Sequence, residues 1–270
     1  MSGRLLDRVC LVTGSTGIAA ASARRLAGEG ASVFIVSRTA DHAKALADAI
    51  ATEGGQASWA TADLTIETET EAAVNAAVER FGRLDGCLSV AGGSGRRFGD
   101  GPIHELTMEG WDRTLELNLR SQALVARAAT RRMLAQAPTA AGSRGSIVLV
   151  SSVLAMAPVP GLFATHAYAA AKGAIVSLGT SMAAAYAPSG IRVNTIAPGL
   201  TATPMSSRAA DDPATATFAR RKQPLVDGFL SADDIAHAAV YLLSDEARAV
   251  TGQCLAVDGG WSVTAAPVAG

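Results

Sequence analysis

A doubly wound α/β fold, with seven parallel strands and helices on both faces, is what this 270-residue sequence predicts. Three observations carry that prediction. Short apolar, β-branched runs alternate with longer alanine-rich segments of helical spacing, an alternation that builds a parallel sheet. The runs are apolar throughout, as in strands covered on both faces. No composition break or long linker interrupts the pattern, so residues 1–270 read as a single domain.

The elements follow in order. A strand at 9–12 leads through a glycine turn into a helix at 18–28. Strands at 33–36 and 57–61 precede helices at 41–53 and 66–81. A strand at 87–90 is followed by an irregular loop, 92–107, and a long helix at 111–136. Small polar residues at 137–145 form a surface turn before a strand at 146–150. The loop 153–167 leads to a helix at 168–186 and a strand at 192–196. A second irregular stretch, 199–230, precedes a helix at 232–243 and the last strand, 254–257. The tail, 264–270, reads as a mobile end or an interface arm. Ligands of such sheets bind beyond the carboxyl ends of the strands, which makes 92–107, 153–167 and 199–230 the candidate substrate loops.

Composition narrows the function. The chain is 49% hydrophobic and 17% charged, with a formal net charge of −1, so no global basic field exists for nucleic acid or an anionic membrane. No apolar run approaches the roughly 20 residues of a membrane span, and residues 1–8 lack the apolar centre of a signal peptide. Three cysteines without a CxxC pair fit reduced thiols in a cytoplasmic protein. The four histidines show no metal-ligand spacing, so no metal is expected.

The chemistry begins at the first turn, Thr13-Gly14-Ser15-Thr16-Gly17-Ile18-Ala19. Glycines let the backbone approach a pyrophosphate, and the following helix offers free N–H groups and a positive dipole end. Twenty residues beyond Gly17, where an acidic side chain would bind a ribose 2′-hydroxyl, stand Ser37 and Arg38. Serine does not repel a 2′-phosphate and arginine pairs with one, so NADP(H) is favoured, with NAD(H) the alternative. Further on, Tyr168 and Lys172 lie four apart, on one face of a helix. A tyrosine titrates near pH 10, and lowering it by about three units takes roughly 4 kcal/mol. A nearby ammonium and a cationic nicotinamide are the expected sources.

With these motifs in place the chain resembles the classical short-chain dehydrogenase/reductase family, of the 3-oxoacyl-carrier-protein-reductase-like type. The likeness runs from about residue 8 to 262 through the glycine turn, Asp63, Ala91-Gly92, Asn118, Ser152, the Tyr168/Lys172 pair, Pro198-Gly199 with Thr203, and Val257-Asp258-Gly259-Gly260-Trp261. It implies a Rossmann fold and an oxidoreductase that interconverts a small-molecule carbonyl and its alcohol. Tyr168 would be the general acid and base, Lys172 would bind the nicotinamide ribose, Ser152 would hold the substrate oxygen, and Asn118 would hold a relay water. Gly14, Ser15, Thr16, Gly17 and Ile18 would cradle the phosphates, and Asp63 the adenine. Thr201 and Thr203 would meet the carboxamide or phosphates. Leu64, Ala91, Gly92, Pro198 and Gly199 would complete the cofactor site. The family's assembly implies a homotetramer, its long helices packing between subunits.

The sequence departs from the family in three places. The glycine turn is one residue short and ends in Ala19. The usual Asn-Asn-Ala-Gly reads Ser89-Val90-Ala91-Gly92. Ser152 stands 16 residues before Tyr168 rather than 13, which enlarges the intervening loop; Ser151 should face the other side of its strand. These changes motivate an alternative, a catalytically inactive dinucleotide-binding sensor. Enoyl reduction is weaker, because Thr165 occupies the position seven before Lys172 where related enoyl reductases carry tyrosine. Leu162, Phe163, Met205, Phe218 and Leu225 suggest an apolar pocket or core, and Arg96 and Arg97 suggest steering of an anionic substrate such as a phosphopantetheine thioester. His166 reads as substrate-facing or structural.

Overall fold

The computed structural model describes residues 3–207 and 211–264. Seven parallel strands form one sheet: β1 (Val9–Thr13), β2 (Ser32–Ser37), β3 (Gln56–Thr61), β4 (Gly86–Ser89), β5 (Gly145–Val150), β6 (Ile191–Pro198) and β7 (Cys254–Val257), in the order β3-β2-β1-β4-β5-β6-β7. The chain reverses its direction of winding between β1 and β4. In a doubly wound sheet a crevice opens at that switch.

Each strand feeds two cores. Along β1, Cys10 and Val12 pack toward one face and Leu11 toward the other; along β5, Val148 and Val150 oppose Ile147 and Leu149. The period-2 alternation of side chains makes both faces apolar without any polar stripe. The first face is covered by α1 (Ile18–Gly28), α2 (Ala40–Thr52) and α8 (Ala232–Leu243). The second is covered by α3 (Glu67–Phe81), α5 (Ser121–Ala135) and α6 (His166–Tyr186).

Two elements differ here from the sequence expectation. The helix predicted over 111–136 starts earlier, as α4 (Met108–Leu115), because the Thr107 hydroxyl caps it by accepting the Gly110 N–H at 2.9 Å. It then widens into a π-turn at Glu116–Arg120 before α5. The stretch 199–230 is not wholly irregular. It holds α7 (Pro213–Lys222), started by the Asp212 carboxylate on Thr215 N–H and by Pro213 in the first turn. Its buried residues are only Thr215 and Ala219, so no apolar stripe announced it. The predicted tail lies, from residue 265 onward, outside the described residues. No helix is long and apolar enough to cross a membrane, and no cluster of potential metal ligands occurs, among the described residues.

Candidate active site

The ends of β1, β4, β5 and β6 converge on one cleft, and each brings a predicted motif to it. At the end of β1, Gly14 and Gly17 have φ of +98° and +54°, a region that disfavours side chains. A Cβ on Gly17 would also stand 2.9 Å from the Thr203 methyl group. Helix α1 has no side-chain cap, so its first N–H groups stay available beside Thr16, Gly17 and Ile18 on the cleft wall. A cradle that a Cβ would fill, in front of an uncapped helix, suits a pyrophosphate. The shortened turn keeps this geometry.

The backbone after β4 is held from β1. The buried Thr13 hydroxyl accepts the N–H groups of Val90 at 2.9 Å and Ala91 at 3.0 Å. The Ser89 hydroxyl is buried with no partner among the described residues.

One arm of the cleft gathers the residues expected to meet the adenosine half. Gly14, Ser15 and Thr16 line it with Ser37 and Arg38. Asp63, Leu64, Ala91 and Gly92 close its other side. The Ser15 and Ser37 hydroxyls lie 2.9 Å apart, and Arg38 is exposed beside them. Asp63 is held below the usual carboxylate range, chiefly by the Thr65 N–H; partial burial opposes this, while the Thr65 hydroxyl and the Arg38 and Arg113 cations add to it.

The other arm brings Asn118, Ser152, Tyr168 and Lys172 together, with Pro198, Gly199, Thr201 and Thr203 opposite. Asn118 sits within the π-turn. Its Nδ2 donates to Thr114 O and Gly93 O, both at 2.9 Å, and its Oδ1 accepts Gly93 N–H at 3.2 Å. The side-chain amide thus ties the last turn of α4 to the loop after β4. Gly92 must lack a side chain, since a Cβ would meet Asn118 Oδ1 at 2.6 Å.

Ser152 follows β5 directly, and its hydroxyl accepts Leu154 N–H at 3.2 Å. Ser151 also borders the cleft, yet its hydroxyl is committed to Lys172 O at 2.7 Å and ties α6 to the strand end. Thr201 is similarly turned back, donating to Gly199 O at 3.1 Å.

Burial pushes the Tyr168 phenol up to about 12, with a hydrogen bond from Ser152 opposing it. Burial pulls Lys172 down to about 8. The Lys172 ammonium lies 5.5 Å from the Tyr168 ring centroid and donates to Val150 O at 2.9 Å. The ammonium is thus hydrogen-bonded to the strand-end carbonyl beside the ring.

Asp100 was not singled out from sequence. Its buried carboxylate accepts the N–H groups of Ala167 at 3.0 Å and Tyr168 at 3.1 Å, and Gly101 O accepts His166 N–H. A loop after β4 thus caps the helix that carries Tyr168, and α6 starts at His166 rather than at 168. The His166 side chain is exposed.

Beyond Tyr168 a second cavity opens between Leu154, Leu162, Phe163, Leu200 and Met205, with Arg96 and Arg97 at its rim. Arg96 donates to Leu162 O at 3.0 Å, and the Arg97 guanidinium lies 4.5 Å over the Phe98 ring. Phe163 and Phe218 pack with the buried Trp261 at centroid distances of 5.3–6.0 Å. Trp261 Nε1 donates to Ala157 O at 3.1 Å. One aromatic cluster thereby joins the 153–167 loop, α7 and the segment after β7. Leu225 is exposed instead.

A dinucleotide cradle and a tyrosine–lysine–serine–asparagine set at the switch point of a doubly wound sheet define a nicotinamide-dependent oxidoreductase class. Known proteins agree. The family model described as enoyl-(acyl carrier protein) reductase matches residues 12–262. The chain is 38% identical to cis-4-hydroxycyclohexanecarboxylate dehydrogenase of Sinomonas cyclohexanicum, over 97% of this chain and 99% of that protein. It is 36% identical to 2-(S)-hydroxypropyl-CoM dehydrogenase 3 of Xanthobacter autotrophicus, over 96% and 98%. A short-chain type dehydrogenase/reductase from Mycobacterium ulcerans superposes with a TM-score of 0.87 at 34% identity, over 97% of this chain and 92% of that one. This chain belongs to the short-chain dehydrogenase/reductase family.

Proposed function

We propose that this protein, as a single catalytic domain, interconverts a small-molecule secondary alcohol and its ketone with NADP(H), using Tyr168 as the proton donor and acceptor. The observation that carries this reading is the convergence of Asn118, Ser152, Tyr168 and Lys172 in the cavity that the glycine turn also lines. The cofactor supplies the hydride; the protein supplies placement and the proton. Thr16, Gly17, Ile18 and the α1 N-terminus hold the phosphates, while Ser37 and Arg38 favour a 2′-phosphate over a bare ribose. Ser152 and Tyr168 meet the substrate oxygen from one side, so charge developing there is stabilised by two hydroxyl donors. Lys172 binds the ribose, and Asn118 orients a relay water. The same family reading carries a cytoplasmic homotetramer. The inactive-sensor alternative has less support, since all four groups are retained. Enoyl reduction is disfavoured by Thr165.

Largely apolar walls, with Arg96 and Arg97 outnumbering the one carboxylate, Asp212, on the same lining, suit a substrate with an apolar body and an anionic end. The relative from Sinomonas, by its name, acts on a hydroxycarboxylate.

The test begins with titration of the protein by NADPH and NADH, followed by nicotinamide fluorescence. Tighter NADPH binding is expected. Tighter NADH binding removes the role given to Ser37 and Arg38, and binding of neither reopens the enzyme reading. Turnover is then screened on ketones paired as carboxylate and neutral ester, in wild type and Tyr168→Phe. Loss of at least about a hundredfold in the variant is expected from removal of a general acid. Comparable turnover would dismiss the tyrosine, and indifference to the carboxylate would dismiss the rim arginines.

A further inference from the structure

Gln223 stands at the C-terminal end of α7 and is fully buried. Its side-chain amide is wholly committed. Oε1 accepts Leu200 N–H at 2.6 Å, while Nε2 donates to Leu200 O at 3.0 Å and to Gly228 O. Leu200 O also accepts Leu230 N–H at 2.9 Å, so both of its lone pairs are filled. The amide thus pairs with one residue's N–H and C=O as a neighbouring strand would. It does so just where β7 has ended, one residue past the bond from Gly199 N–H to Val257 O at 2.9 Å. Gly199 makes room for it, since a Cβ there would collide with Gln223 Oε1.

What the amide holds bears on the chemistry. Leu200 lines both the cavity that gathers Asn118, Ser152, Tyr168 and Lys172 and the apolar cavity beyond Tyr168. It therefore stands where a molecule seated in the second cavity meets the hydroxyls of the first. Met205, an apolar side chain further along the same segment that also lines both cavities, is largely exposed. We propose that Gln223 is a positioning residue: it fixes Leu200 as the wall between the two cavities, so that a ketone presents one face to the nicotinamide. The inference rests on the ketone and alcohol chemistry given under Proposed function. Without the amide, Leu200 N–H and Gly228 O lose their partner, and Leu200 is held through Leu230 alone. The residues expected to meet adenosine lie in the other arm, so loosening this wall acts on substrate orientation and not on cofactor affinity.

Two variants test it. Gln223→Met keeps the length of the side chain and removes both hydrogen-bonding ends. Its turnover of a prochiral ketone should fall about tenfold, and the enantiomeric ratio of the alcohol should narrow. Its NADPH dissociation constant, from nicotinamide fluorescence, should stay within about twofold of wild type. Gln223→Glu keeps the shape. Protonated, its carboxyl accepts Leu200 N–H and donates once; ionised, it sets a negative oxygen against two carbonyls, so burial and those carbonyls raise its pKa. The folded state then binds the extra proton. Relative to wild type, both the enantiomeric ratio and the unfolding temperature without cofactor should fall as pH rises from about 6 to about 8.5. A wild-type enantiomeric ratio in Gln223→Met, or a loss of NADPH affinity as large as the loss of turnover, overturns the proposal. So does a Gln223→Glu whose stability follows pH while its enantiomeric ratio does not, which assigns the amide to folding alone; that comparison decides the matter if Gln223→Met does not fold. Wild type that binds NADPH but reduces no ketone removes the underlying reading, and this inference with it. The two failures are distinct, since the second is seen in wild type and the first only in the variants.

Discussion

Lys172 and Tyr168 carry opposite consequences of one burial. The lysine's folded pKa, about 8, lies below its ordinary 10.5, so between those values the unfolded chain binds more protons than the folded one. Stability therefore rises with pH across about 8 to 10.5, and the penalty of the buried charge is fully present below that window. The tyrosine's folded pKa, about 12, lies above its ordinary 10, so its contribution falls from about 10 to 12. Urea unfolding at pH 7.5 and pH 10 should show wild type gaining on Lys172→Met by about 1–3 kcal/mol; an unchanged difference would mean that the lysine is not desolvated. The residues proposed to react were picked out by motifs that survive in sequence, and the structure brings them into one cleft. The position of Ser152 in the cleft was legible despite its altered distance to Tyr168, since a strand end fixes it while a loop takes up the extra residues. The bond from Gln122 to Val150 O was not legible, because it spans 28 positions.

At the scale of elements, the first turn of α6 is held from outside. Asp100 reaches it across 67 and 68 positions, and local sequence around His166 holds no cap of its own. That is why the predicted helix began at Tyr168. Asp100→Ala should cost about 1–2 kcal/mol, as loss of a helix cap does, and should lower kcat more than it raises the cofactor's dissociation constant. Asp100→Asn, which keeps one acceptor, should fall between. Chemical denaturation and steady-state kinetics check both; a cofactor-binding defect larger than the kcat defect would place Asp100 in a different role. Helix α7 was missed for a different reason. Its start is written in Asp212 and Pro213, but its exposed surface erases the period that reveals helices.

The whole molecule divides its labour between the sheet and the loops. Strand order and the two apolar faces place the cleft proposed for the cofactor, and these were readable because strand–helix alternation leaves few topologies. The substrate cavity depends on three segments brought together by Phe163, Phe218 and Trp261, which no periodicity foretells. Trp261→Phe retains a ring but loses the N–H to Ala157 O. It should destabilise the protein by about 1 kcal/mol and raise the substrate KM while leaving NADPH binding unchanged. A matching loss of NADPH affinity would show that the cluster supports both arms of the cleft. The π-turn at Glu116–Arg120 also bears on which side of α5 meets the sheet. One added residue rotates everything beyond it by about 100° relative to a straight helix. Replacing the turn by straight helix with the same number of residues would therefore carry part of the polar side of α5 toward the sheet.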